Sequence, residues 1–173
     1  MNYFKFYNLE IKFNLDTKEL KRQFLLNSKK YHPDFYTLDS ENAQEKALEL
    51  SSYNNEAYNT LSDQNKRIYY ILKLKGLVGE GVKNNLPPSF LMEMMDINEQ
   101  IMELQFDPDT EKKQTLSTEI INMEEKLQTE ILPVLDSYSD SASKQEDLQM
   151  VLNYYLKTKY IKRIKENLVM RKK

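Results

Sequence analysis

The sequence predicts an all-α protein, and three observations carry that prediction. Only three glycines and five prolines interrupt 173 residues. Leu, Glu, Lys, Gln, Met and Asn, most of them good helix formers, are in surplus. Apolar residues recur at spacings of three and four along most of the chain, which is the period of a helix and not the alternation of a strand. The 40% apolar content is enough to fill a core. The length suits one ordinary domain or two small ones.

The first element follows an apolar opening, YFKFYNLEIKF. Asp16 and Thr17 precede KELKRQF, and Glu19 stands three residues after Asp16, the pattern of an N-cap with a capping-box glutamate. A helix is therefore expected over 17–31, with Leu20, Phe24 and Tyr31 facing inward. Asn27 falls on that face where leucine would be expected. Pro33 ends the helix, because it lacks an N–H and drives His32 out of the helical region. A polar stretch, TLDSENAQ, leads into a second helix over 42–61, marked by Ala43, Ala47, Leu50, Asn54, Ala57 and Leu61. Its alanines permit close approach, so the two helices are expected as an antiparallel pair with the His32-Pro33-Asp34 loop at their joined end. A shorter helix, QNKRIYYILKLKG, stops at Gly76 with Lys73 and Lys75 near its end.

All three glycines and two of the five prolines lie in GLVGEGVKNNLPP, so a first domain over 1–76, a linker over 77–87 and a second domain over 88–173 are expected. Three further helices, at 88–105, 110–137 and 143–170, are separated by FDPDT and DSYSDSAS. Short connections predict an antiparallel three-helix bundle. Leu116, Ile120, Met123, Leu127 and Ile131 face its interior from the middle helix, with Leu148, Leu152, Tyr155, Ile161, Ile164 and Leu168 from the last.

Composition also removes classes of chemistry. With no cysteine, disulfides, a thiolate nucleophile and Cys-based metal sites are excluded. No run approaches the roughly 20 apolar residues of a membrane span, and the opening lacks the pattern of a signal peptide. A cytoplasmic location without a membrane partner is expected. The formal charge is −2, so an electrostatic partner is chosen by local patches. Two are basic: the helix over 17–31 and the tail after Tyr154. In that tail, basic residues are spread through an apolar period beside acidic helices, and nothing resembles a base-reading module. A solvated face is expected there, with no nucleic-acid partner.

His32 is the one histidine. Beside Asp34 it suggests acid–base chemistry, but Pro33 is expected to hold the two apart in an extended turn, and one histidine makes no metal cluster. Neither an enzyme nor a cofactor is expected. As a docking loop the tripeptide is better equipped. A proline-stiffened turn loses little entropy on binding, and Lys18, Lys21, Arg22, Lys29 and Lys30 steer the helix face toward an acidic surface. The alternative is a merely solvated helix face.

SFLMEMMDINEQIMEL carries more apolar surface than one core needs. Phe90, Met94, Ile97, Ile101 and Leu104 form one stripe for bundle packing. Leu91, Met92, Met95 and Met102 form a second, flanked by Asp96 and Glu99. Methionine-rich surface rimmed with charge is typical of a partner site. Packing against the first domain, or a wider core, is the alternative.

The His32-Pro33-Asp34 loop between two such helices, followed by YNNEAYNTLSDQNKRIYY with Asn54 or Asn55, Ala57, Tyr58, Leu61, Asp63, Arg67 and Tyr70, resembles the J-domain of DnaJ-like co-chaperones. NYFKFYNLEIKFNLD, IYYILKLKG and PPSFLMEMMDINEQI look like the HscB family, the co-chaperones of iron-sulfur cluster assembly. That resemblance runs from Asn2 to about Leu168. It implies that His32, Pro33, Asp34 and the basic face, Lys18, Lys21, Arg22, Lys29 and Lys30, dock onto a DnaK/HscA-like ATPase chaperone and accelerate its ATP hydrolysis. It further implies that Leu91, Met92, Met95, Asp96, Glu99 and Tyr154 bind the scaffold protein IscU. Three positions depart from the family pattern. Phe35 stands where a basic residue often follows the tripeptide, Asn98 replaces an arginine, and Asp96 replaces a glutamate. Tyr155 is expected to be the core member of the Tyr154–Tyr155 pair. Tyr69, Tyr70, Ile71 and Leu74, with the opening aromatics, are expected to bridge the domains. The rival readings are a generic co-chaperone with another client, and an enzyme using His32.

Overall fold

The computed structural model describes residues 1–142 and 144–170. The expected first residue of the last helix, Ser143, and the end of the basic tail, 171–173, lie outside them. Seven α-helices follow one another: α1 Tyr3–Phe6, α2 Thr17–Lys30, α3 Glu41–Ser62, α4 Gln64–Leu74, α5 Pro88–Phe106, α6 Thr110–Ser137 and α7 Gln145–Met170, with a 3-10 helix, Pro33–Tyr36, between α2 and α3. The fold is all-α among the described residues. Two compact units divide it: Met1–Lys75 with Tyr138–Ala142, and Gly76–Ser137 with Ser143–Lys173.

In the first unit, α1 is a single turn within the aromatic opening. The Asn2 side chain caps it by accepting the Lys5 N–H at 2.8 Å. Its C-terminus closes with two backbone bonds, Leu9 N–H to the Phe4 carbonyl at 2.9 Å and Asn8 N–H to the Lys5 carbonyl at 3.2 Å. Asn8 adopts φ 55°, the left-handed conformation this closure requires and asparagine tolerates.

Asp16 caps α2 as expected, accepting from the N–H groups of Lys18 and Glu19. The reciprocal half of the capping box does not form. Glu19 turns outward, where Arg22 and Gln23 donate to it at 2.7–2.8 Å. A charged guanidinium outcompetes a single backbone N–H for that carboxylate.

Helices α2 and α3 pack against each other through small and aromatic residues. Ala47, Ala57, Leu61 and Leu20 are buried, and Phe24 stacks on Tyr58 at 4.3 Å between ring centres. The polar residue at this seam is Asn54, fully buried. Its amide donates to the Phe24 carbonyl and the Ser28 hydroxyl, and Tyr7 donates to it. Asn27 is only half-buried. Arg67, also buried, donates through Nε to the Phe13 carbonyl at 2.6 Å and through Nη1 to the Leu61 carbonyl. It thereby satisfies a carbonyl left open in the last turn of α3. Burial lowers its pKa.

Two of the residues expected to bridge domains take part in the packing of this unit. Tyr70 stacks on Tyr3 at 4.5 Å, and its hydroxyl accepts the Tyr3 N–H at 3.0 Å. Ile71 is sealed in the core, whereas Tyr69 and Leu74 lie at the surface. The turn Tyr138–Ala142 also belongs here: Tyr138 is buried with its ring 4.6 Å from Phe13, and Asp140 pairs with Lys75. Gly76, at φ +70°, stops the chain after α4 in the left-handed conformation that suits a helix C-terminus.

The second unit is built around α5, α6 and α7. Phe90, Met94, Ile97 and Ile101 of α5 meet Leu116 and Ile120 of α6 and Ile161, Ile164 and Leu168 of α7, with Leu104, Met123 and Leu127 at the margin. This is the expected bundle interior. Leu148 and Tyr155 are only half-buried, whereas Leu152 is buried as expected, and Val151 beside it is buried too.

Candidate functional site

The loop joining α2 to α3 is held by its own hydrogen bonds. His32 leaves the helix in an extended conformation, φ −67° and ψ 126°, as a residue before proline prefers. Its Nδ1 then accepts the Asp34 N–H at 3.3 Å. The Phe35 N–H donates to the His32 carbonyl at 3.1 Å. Tyr36 donates its hydroxyl to the Lys30 carbonyl at 2.9 Å, and the Gln44 amide donates to the carbonyls of Thr37 and Asp39. His32, Pro33 and Asp34 nevertheless remain exposed. The backbone is fixed while the side chains stay available.

The expected separation of His32 from Asp34 is not observed. The 3-10 turn curls Asp34 back until its Oδ2 lies 3.6 Å from His32 Nδ1. The arrangement still differs from an acid–base dyad. Nδ1 is occupied as an acceptor by a backbone N–H, so it donates no orienting bond to the carboxylate in the neutral imidazole.

On α2, Lys18, Lys21, Lys29 and Lys30 are exposed. Arg22 is exposed too, but its guanidinium forks onto Glu19. The bonds from Arg22 and Gln23 pull the Glu19 carboxyl down to about 2. Arg22 therefore brings a partly neutralised charge to this face, and the lysines bring the net field. The sequence reading omits Leu25, which is exposed among these cations. Spacings of three, four and seven from Lys18, Lys21, Arg22 and Lys29 place it on the same face, and that angular position is the signal that would have found it.

On α5 the two stripes separate as expected. While Met94 and Ile97 are sealed in the core, Leu91 is 37% exposed and Met92 and Met95 are each 67% exposed. Asp96 and Glu99 are exposed beside them. Met102 and Phe106 extend the apolar strip to the end of the helix. Phe106 escaped the sequence reading because it lies one residue past the expected helix end. Asn98 is half-buried, and its amide donates to the Met94 carbonyl of its own helix at 2.9 Å.

On α7, Tyr154 and Tyr155 are both half-buried, so neither is the core member of the pair. Burial, with Glu124 nearby, raises the Tyr154 pKa. Three basic residues of α7 have partners within the unit: Lys165 pairs with Glu124, Lys157 lies 5.5 Å from the centre of the Phe90 ring, and Arg163 lies 5.7 Å from that of Tyr160. No helix among the described residues is long and apolar enough to cross a membrane.

Two family models match the chain, the DnaJ domain over residues 5–70 and the HSCB C-terminal oligomerisation domain over residues 86–169. A co-chaperone protein HscB homolog of Vibrio cholerae is 37% identical over 102 residues, 58% of this chain and 60% of that protein's length. Its counterpart in Neisseria meningitidis is 32% identical over 126 residues, 72% of this chain and 76% of that protein. The chain belongs to the HscB family. Among solved structures, the chaperone HscB from Vibrio cholerae superposes with a TM-score of 0.66 at 28% identity, covering 97% of this chain and 95% of that one. An HscB fold accounts for both surfaces: the loop between α2 and α3 lies within the DnaJ-matched stretch, and the α5 strip lies within the HscB-specific one. The relatives are named as co-chaperones, and the His32 loop falls inside the stretch that matches the DnaJ domain.

Proposed function

We propose that this protein binds an IscU-like iron-sulfur scaffold through α5 and α7 and presents it to a DnaK/HscA-like ATPase chaperone, whose ATP hydrolysis it stimulates through the loop at His32. The observation that carries this reading is the double use of α5. One stripe builds the bundle core, while Leu91, Met92 and Met95 remain in water with Asp96 and Glu99 at their edge. An exposed methionine-rich strip beside carboxylates suits a folded protein partner. Tyr154 supplies the candidate aromatic on α7.

The first unit supplies the other contact. Lys18, Lys21, Lys29 and Lys30 attract an acidic surface, and His32 and Asp34 offer a donor and an acceptor on a turn that is already ordered. The protein contributes no catalytic group of its own. Carrying both surfaces on one chain raises the effective concentration of scaffold at the ATPase, so hydrolysis is fastest when both are bound. The proposed division is residues 1–76 for the ATPase, 88–173 for the scaffold and 77–87 between them. The proposed place of action is the cytoplasm.

The test mixes the purified protein with an IscU-like scaffold and, separately, with a DnaK/HscA-like ATPase. Complex formation and faster ATP hydrolysis are expected, with the largest rate when all three are present. Stimulation without scaffold binding would replace IscU by another client. Turnover of a small substrate without the ATPase would overturn the adaptor reading.

A further inference from the structure

We propose that Phe35 is an apolar anchor of the docking loop, and that the ATPase chaperone it fits carries a hydrophobic recess within an acidic face. This rests on the docking reading above and narrows the chemistry of the partner.

The loop exposes two large apolar residues beside His32 and Asp34: Phe35 at 67% and Leu38 at 99%. Isolated exposed hydrophobics are ordinary, but Phe35 is not on a loose segment. Its N–H is bonded to the His32 carbonyl, and its ring stands edge-on to the imidazole with centres 5.9 Å apart. Only Pro33 and Asp34 separate them, and the edge contact places the two rings side by side at the start of the turn. Tyr36 and Gln44 fix the chain on either flank. A rigid aromatic on an ordered turn loses little freedom on binding, and buried aromatics dominate interface energies.

The cations around it set the sign of the partner. Lys29 and Lys30 precede the loop and Leu25 lies among the basic residues of α2, so the matching surface is acidic with an apolar depression, not acidic throughout. A lipid surface fits less well. Phe35 and Leu38 sit on or just after one four-residue turn, whereas interfacial membrane binding draws on the long apolar face of an amphipathic helix.

The experiment measures single-turnover ATP hydrolysis by a DnaK-type chaperone against the concentration of the full chain, for wild type, Phe35→Ala, Phe35→Leu and Phe35→Lys. Phe35→Ala is expected to raise the half-saturating concentration about 10- to 50-fold. Phe35→Leu should stay within about threefold of wild type because most of the apolar area survives, and Phe35→Lys should resemble Phe35→Ala. The alanine defect should persist from about 0.05 to 0.5 M salt, since an apolar contact is not screened. An unaffected alanine variant, rescue by lysine, or a defect that vanishes with salt overturns the anchor while leaving the docking reading intact. Absence of stimulation by wild type overturns both. Cosedimentation with phosphatidylserine vesicles that depends on Phe35 assigns the residue to lipid and also overturns the proposal.

Discussion

The Tyr7 hydroxyl lies 2.8 Å from the backbone carbonyl of Asn54 and 2.9 Å from its side-chain Oδ1, in the sealed interior of the first unit. Burial raises the Tyr7 pKa, so the hydroxyl stays a donor. Asn54 passes the connection on to the Phe24 carbonyl and Ser28 hydroxyl of α2. One polar network therefore fixes the register of the helix pair that carries the His32 loop.

Replacing Asn54 by Leu is expected to destabilise the protein by about 2–4 kcal/mol, because the buried Tyr7 hydroxyl loses its side-chain acceptor and the Phe24 carbonyl and Ser28 hydroxyl lose their amide donor. Tyr7→Phe removes the single donor that the two Asn54 oxygens share and should cost about 1 kcal/mol. Chemical denaturation followed by circular dichroism measures both. An Asn54→Leu variant as stable as wild type would mean that the network does not determine register.

Acid should expose the Glu19–Arg22 pair. The folded state holds the Glu19 carboxyl at about 2, against 4.5 for an unperturbed carboxyl. A depressed folded value means that the unfolded chain binds protons first as pH falls. The contribution is thus complete above pH 4.5 and is lost on descending through about 2. Wild type and Glu19→Gln should differ in stability near neutrality and converge near pH 2. A difference that stays constant across the titration would show that the carboxylate's charge is not what acts.

His32→Gln and Asp34→Asn change exposed side chains and should leave the melting temperature within about 2 °C of wild type. Stimulation of the ATPase should fall to background in both. A variant that retained full stimulation would remove the loop from the interface.

The triple change of Leu91, Met92 and Met95 to Ala alters surface residues of α5, so a small loss of stability is expected. Scaffold affinity, read by calorimetry, should fall about 100-fold or more, the scale on which central apolar contacts act. Unchanged affinity would move the scaffold site elsewhere.

The parts of this fold that were legible are those governed by local rules. Pro33, Asp16 and Gly76 mark helix ends by what their backbones permit, and the α5 helix reveals two roles because its apolar residues overfill one 3.6-residue stripe. Single turns and long-range pairings were not legible. The four residues of α1 are too short to display a period. Periodicity placed both Asn27 and Asn54 on inward faces, but did not show that Asn54 would bridge the seam, with partners 26, 30 and 47 positions away. Tyr138 gives no local sign that it will pack on Phe13. The nearness of His32 to Asp34 depends on the 3-10 turn after Pro33, and the pattern around Asp16 could not reveal that Arg22 would claim Glu19. At the candidate sites, the exposure of the expected residues was readable, whereas the partly neutralised charge of Arg22 and the half-buried state of both Tyr154 and Tyr155 required the packed structure.

The central claim is that two surfaces with separate duties reside on one chain. Scaffold binding and ATPase stimulation should be measured side by side on His32→Gln and on the triple α5 variant, with circular dichroism to establish folding. The account predicts that His32→Gln binds scaffold normally but does not stimulate, and that the α5 variant stimulates the ATPase alone but shows no further gain from scaffold. Either variant losing both activities while still folded would contradict it.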